Sequence, residues 1–351
     1  MHIFAEKFSM KRLVTAFFTL LVISVSAHCQ ENGGDGFIDK LYIDTRAIYH
    51  QETVSGVYSS TFRADHLNLN VFGHITDKVD FRIRQRLNKQ VFDENNIFNA
   101  TDFVYVNWQA TPKWRFLVGK NAVLIGGYEF DAVPIDVYYY SQFCSNLYQG
   151  FTLGVSAAYG FAPGQEICFQ VCNSPLSLGI ENVYSYNLGW IGGFTPHWRT
   201  IWTFNLVEDH DKNMISYIAL GNHFQWDNLL WDVDLMNRAS FAQKRYFGTD
   251  YTIITKVIWT VGKWNLCAKG GIERNSAENV DPVTGREYDV IIKPGTGYLY
   301  AGAGVEFFPL KSRENLRLHA AYYRDNSFHR NNFDLGITWR VDIIKDRKVK
   351  K

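Results

Sequence analysis

The sequence predicts an all-β protein: a transmembrane antiparallel β-barrel of about sixteen strands, preceded by a signal peptide. Three observations carry that reading. The one long apolar run lies near the start, Leu13 to Ala27. Apolar and polar residues alternate position by position through segment after segment of the remainder. The segments are joined by connections that are short and long by turns.

The first run, LVTAFFTLLVISVSA, follows Lys11 and Arg12 and ends in small residues. A basic region, an apolar stretch and a small-residue end make a secretory signal. Val25 and Ala27 fit the −3 and −1 places, so the expected signal is 1–27, and 28–36 is a short N-terminal segment. Met10 begins a tidier basic region than Met1 does. Cys29 follows the cleavage point, but His28 stands where a lipidation motif needs a small residue. Mean hydropathy is −0.19, which argues against a bundle of transmembrane helices.

Removing 1–27 takes away Lys7, Lys11, Arg12 and Glu6, so the net charge falls from +1 to −1, with 33 basic and 34 acidic residues left. The tail KDRKVKK, 345–351, holds five basic residues and one acid. Such a chain has no basic footprint for nucleic acid. Any electrostatic function comes from where charges sit.

Successive side chains of a strand point to opposite faces, so strict alternation marks a sheet with one apolar and one polar side. HLNLNVFGHI puts Leu67, Leu69, Val71 and Ile75 on one face, against His66, Asn68, Asn70 and His74. DFRIRQRLNK (80–89) puts Phe81, Ile83 and Leu87 opposite Arg82, Arg84 and Arg86. YTIITKVIWTV, KWNLCAKGGIE and NLRLHAAYYR follow the same rule more loosely. FDLGITWRVDII closes the pattern with Phe333, Leu335, Ile337, Trp339, Val341 and Ile343 on one side.

The short connections are TDK, ATPK, APGQ, TPH, QWDN, VGK and PLKSREN. The long ones are QETVSGVYSS, KQVFDENNIFNA, 121–149, NSPLSLGIE, VEDHDKN, 238–249, 274–296 and DNSFHRN. A soluble sandwich has no reason to sort its loops in this way. An outer-membrane barrel does, with short turns at one rim and long loops at the other. Trp108, Trp114, Trp198, Trp226 and Trp264 cluster at the short turns, as an interfacial girdle would. The barrel is expected over 37–344.

In a barrel of this size the apolar face meets lipid and the polar face lines a water-filled lumen. Alternation assigns Arg46, Arg82, Arg84, Arg86, Arg115, Arg199, Lys256, Lys269, Arg317 and Arg340 to the lumen. It also assigns Asp44, Asp80, Asp232, Asp234, Glu273, Glu306, Asp334 and Asp342. The basic excess is small, and the cluster at 82–86 is the one-signed part.

Several segments resemble the phosphate-selective porin O and P family. They are DFRIRQRLNK, TDFVYVNWQ, the run from WRFLVGK into IGGYEFDAVPIDVYYYSQF, YQGFTLGVSAAYG, NSP at 173–175 and FDLGITWRV. The resemblance implies a trimeric diffusion pore in the outer membrane of a Gram-negative bacterium. Lipid and lipopolysaccharide would surround it, and small hydrophilic solutes, anions such as phosphate among them, would pass through. It implies no cofactor. It implies a ladder of Arg and Lys along the lumen, which adds Lys120 to Arg82, Arg84, Arg86, Arg115, Arg199, Lys256, Lys269, Arg317 and Arg340 as pore-lining, anion-binding candidates. It also implies a third outer loop, 121–149, folded inward as a constriction carrying Tyr128, Glu129, Asp131, Pro134 and Asp136. Arginines 82–86 are expected to face those loop acids.

Competing classes have less in the sequence. GVSAA around Ser156 lacks the second glycine of a nucleophile elbow. EDHD, 208–211, falls in an outer loop and reads as a solvated charge cluster. Cys168 and Cys172 lie on one strand, about 13 Å apart, too far for a disulfide. A non-conducting structural or adhesin barrel differs from a pore in having a plugged lumen.

Overall fold

The computed structural model describes residues 37–89, 99–147, 149–177, 181–241, 243–276, 292–313, 315–326 and 329–345. The signal peptide, the 28–36 segment, most of the loop after Leu87, most of 274–296 and the tail beyond Lys345 lie outside these.

Sixteen antiparallel strands close into a barrel in sequence order, and the last pairs with the first. They are β1 (Ile38–Val54), β2 (Val57–Thr76), β3 (Val79–Arg86), β4 (Thr101–Gln109), β5 (Trp114–Ala122), β6 (Phe151–Ala162), β7 (Gln165–Asn173) and β8 (Tyr184–Thr195). There follow β9 (Trp198–Glu208), β10 (Met214–Trp226), β11 (Leu229–Ser240), β12 (Tyr251–Val261), β13 (Trp264–Asn275), β14 (Thr296–Phe307), β15 (Leu316–Asp325) and β16 (Asn331–Ile344). Closure leaves no sheet edge for lipid to meet, which is the condition for a spanning sheet.

Short and long connections largely alternate as the sequence indicates, but the β14–β15 connection, 308–315, is longer than the opposite-rim connections 209–213 and 326–330, and the first long one needs correcting. QETVSGVYSS is not a long loop. β1 and β2 stay paired up to Val54 and Val57, and Ser55 and Gly56 make the turn with φ of 49° and 85°. Positive φ at both central residues is the tight hairpin geometry. The strand ends here break the alternation, so they read as loop.

The faces sort by register. Ile83 pairs with Val71 and Val104 outside, while Arg84 pairs with Asn70 and Phe103 inside. Val118, Leu299 and Leu335 are more than half exposed on the outer wall. At the short-turn rim, Trp114 contacts Phe116 and Tyr159, Phe224 contacts Trp198, Trp226 and Trp231, and Trp264 contacts Phe307. This is the expected girdle. Arginine in place of Ile83 should cost about 2–4 kcal/mol at the lipid face. The folded, heat-modifiable fraction in the outer membrane should fall, whereas Arg82→Ala should assemble. Normal assembly of Ile83→Arg would reverse the facing.

A buried apolar cluster lies inside the barrel. Val123, Ile125 and Phe143 from the β5–β6 connection pack against Val207, Ile215, Tyr217 and Ile254 of the wall. That connection, 123–150, therefore enters the lumen.

Candidate pore constriction

The inward loop folds into three short pieces: α1 (Tyr128–Asp131), a 3-10 turn (Pro134–Asp136) and α2 (Gln142–Asn146). Pro134 opens the 3-10 turn, where its fixed φ suits the geometry and its missing N–H costs nothing. Ser141 caps α2, its hydroxyl accepting from the Cys144 N–H at 3.1 Å. Gly127 has no side chain with which to cap α1. The wall supplies that cap. Asp234 of β11 accepts the Tyr128 and Glu129 N–H groups, each at 2.8 Å. Glu273 of β13 accepts the Gln142 and Phe143 N–H groups at 2.6 and 2.9 Å. Helix starts leave such N–H groups unpaired and carry partial positive charge, so a carboxylate fits there.

Close approach makes these caps possible. A Cβ on Gly127 would overlap the Asp234 carboxylate, and one on Gly221 would lie 2.8 Å from the Gly127 Cα. Cationic wall residues hold the far side of the loop. Arg46 donates to the Ile135 and Val137 carbonyls at 3.1 and 2.8 Å. Arg317 donates to the Ile135 carbonyl at 3.1 Å and pairs with Asp136 at 2.9 Å. Tyr138 donates to Glu306 at 2.6 Å. Lys269 and the Ser141 hydroxyl both donate to Glu129. Burial pushes the Glu129 carboxyl up, but Lys269 outweighs it, leaving the group below the usual carboxylate range.

The arginine row faces the lumen, yet its partners differ from those expected. Arg84 reaches Asp102 through Nε at 2.8 Å and Nη2 at 2.7 Å, and Arg86 does the same. Glu129 and Asp136 are instead engaged by Lys269 and Arg317, across the barrel from the row. Asp102 was not among the sequence-read candidates. Its position in β4 has the wrong parity for the lumen. A register shift beside it, between Arg84 and Gln85 on the partner strand, brings it in. Arg82 stands apart, its guanidinium 3.9 Å from the Phe103 ring and 4.9 Å from the Phe72 ring.

Between this wall and the loop lies a space of about 310 Å³, lined by Arg82, Arg84, Arg115 and Glu166 on one side and by Asp131 and Pro134 on the other. Arg115 pairs with Glu166 at 2.5 Å. Burial raises the Asp131 carboxyl above its usual range, and Arg199 draws it partly back. A smaller space, about 90 Å³, lies behind the loop beside Asp136, Lys256 and Lys269. There Lys256 pairs with Asp232 at 3.2 Å. The Tyr128 ring packs on His223 at 5.1 Å. Arg199 is exposed, and Arg340 lies 4.2 Å from the Tyr42 ring.

Lys120 pairs in register with Val104 and Leu153, yet its side chain is buried and has Asp102, Arg86 and Lys89 as charged neighbours, which sets it beside the Asp102 end of the row. In EDHD, Asp209 accepts the Asp211 and Asn213 N–H groups and shapes its own turn. Cys144, Cys168, Cys172 and Cys267 are free thiols.

A closed sixteen-strand barrel, a lipid-facing apolar wall and a loop that narrows the lumen define an outer-membrane porin, a channel of the Gram-negative outer membrane. The family model described as phosphate-selective porin O and P matches residues 48–197, from β1 through the β8–β9 turn, so the family resembled is the family that matches. No curated protein matches the chain. Among solved structures, the outer-membrane channel DcaP of Acinetobacter baumannii aligns with a TM-score of 0.59 at 12% identity, covering 86% of this chain and 96% of that one. An anion-selective porin from Comamonas acidovorans gives 0.58 at 8% identity, covering 86% and 98%. The trimer form of OmpT, an outer-membrane protein of Vibrio cholerae, gives 0.56 at 12% identity, also covering 86% and 98%. At these identities the likeness is one of fold.

Proposed function

We propose that the channel passes small hydrophilic solutes by passive diffusion between the inward loop and the β3–β7 wall, with a modest preference for anions. The charge lining that passage carries the reading. Arg82, Arg84 and Arg115 share the lining with Glu166 beside them and Asp131 opposite, three cations against two acids. Low-dielectric walls focus even a small excess of this kind. The sidedness follows from loop length: the short-turn rim and the basic tail lie in the periplasm, and the long loops face lipopolysaccharide. The chain assembles as a homotrimer, in line with the trimer form recorded for the V. cholerae barrel of the same fold.

Single-channel recording of the purified protein across a potassium chloride gradient tests this. A steady current whose reversal potential lies on the anion side is the expected result. A cation-side potential would overturn the preference. A barrel that folds but passes no current would favour a structural or adhesive role.

A further inference from the structure

We propose that the constriction favours monovalent organic anions with an aromatic or aliphatic body, of the benzoate type, over inorganic phosphate. The inference rests on the porin reading and names the solute class its passage fits. Phosphate near neutral pH is a mixture of monoanion and dianion with four strongly hydrated oxygens, and tight recognition uses several free donors, best presented by bidentate guanidinium groups. Those donors are already engaged here. Arg84 and Arg86 both direct Nε and Nη2 at Asp102, and Arg115 is held by Glu166. Arg82 is different: among the described residues it makes no ion pair, and its buried Nε has no hydrogen-bond partner. Its guanidinium stacks on Phe103, which leaves the edge N–H groups to meet a carboxylate.

Asn121, Ser156, Gln170 and Thr203 also line the space, but most of its remaining lining is apolar. Leu117, Phe151 and Ile201 of the wall face Val133 and Pro134 of the loop across the same space. A phosphate ion would lose hydration there with little to replace it, whereas the ring or chain of an organic acid gains contact. The volume, about 310 Å³, matches the lower end of sites for small molecules. The net charge of one on the lining suits a monoanion. A carboxylate on Arg82, with its body against Phe151 and Pro134, would use both features.

The test uses the purified full-length channel in planar bilayers, with sodium benzoate and sodium phosphate added to a chloride current. Benzoate should block at about tenfold lower concentration than phosphate, as one charge-assisted contact implies. Arg82→Gln should weaken the benzoate block by about the same factor. Arg82→Lys, which keeps the charge but not the planar fork, should weaken it too, and it serves if the glutamine variant fails to fold. Equal or stronger block by phosphate, or benzoate block unaltered in both variants, would overturn the inference and leave the porin reading standing. Absence of any chloride current in the wild type would overturn both.

Discussion

Alanine at both Asp234 and Glu273 should free the inward loop, raising the conductance of single channels and making it fluctuate. Each carboxylate accepts two backbone N–H groups at the start of a loop helix. Hydrogen bonds to a charged group contribute about 1.5–3 kcal/mol each, so four are a large share of what holds the loop. The helices are too short to persist alone. With both wall carboxylates gone, α1 is uncapped and α2 keeps only Ser141, and the remaining anchors are Arg46, Arg317, Lys269 on Glu129, Tyr138 on Glu306 and the apolar cluster around Phe143. The barrel itself is closed by its strand ladders and should still migrate as a folded species on unheated gels. Gly127→Val should act in the same direction, because a side chain there overlaps Asp234. A steady, unchanged conductance in the double variant would mean that the other anchors fix the loop without these caps.

The sequence made the barrel legible where one face is lipid. In FDLGITWRVDII each outward position is apolar, and the register found for β16 agrees with that reading. Lipid tolerates no error of parity, so the pattern is strict there. Legibility fails where lipid stops acting. The tip of the β1–β2 hairpin, 51–60, breaks the alternation by mixing polar residues with Val54, Val57 and Tyr58, and it looks like a loop. Asp102 was hidden because a bulge overrides parity, and no spacing rule announces a bulge. Lys120 is a similar case: five residues from Arg115 is an odd step, so parity alone sends it outward, yet it is buried with Asp102 and Arg86 as charged neighbours. The existence of an inward loop was readable only from the family likeness. Its docking was not. Asp234 and Glu273 read as lumen charges that set a field, and only the fold reveals that they cap helices on a distant segment. Those two acids are therefore used in docking the loop rather than in setting the field of the pore.

That redistribution sharpens what the arginine row does. Arg84→Ala together with Arg86→Ala should destabilise the barrel locally and turn its selectivity toward cations. Asp102 has a side chain 4% exposed, and both of its cationic partners would be gone. Stranding a buried charge in this way costs about 3–5 kcal/mol. In the wild type the trio carries two positive charges and one negative; the double variant carries only the negative one. The reversal potential should move toward cations, and the unfolding temperature in detergent should fall. Adding Asp102→Asn removes the stranded charge, so stability should largely recover. Selectivity should then settle between wild type and double variant, because the trio becomes neutral. The two readouts therefore separate: stability follows whether Asp102 is compensated, and selectivity follows the summed charge. Were the asparagine to restore neither, Asp102 would not be the partner that holds Arg84 and Arg86. Were the double variant to keep both its stability and its anion preference, the row would contribute nothing to the field, and Arg82 with Arg115 would set it alone.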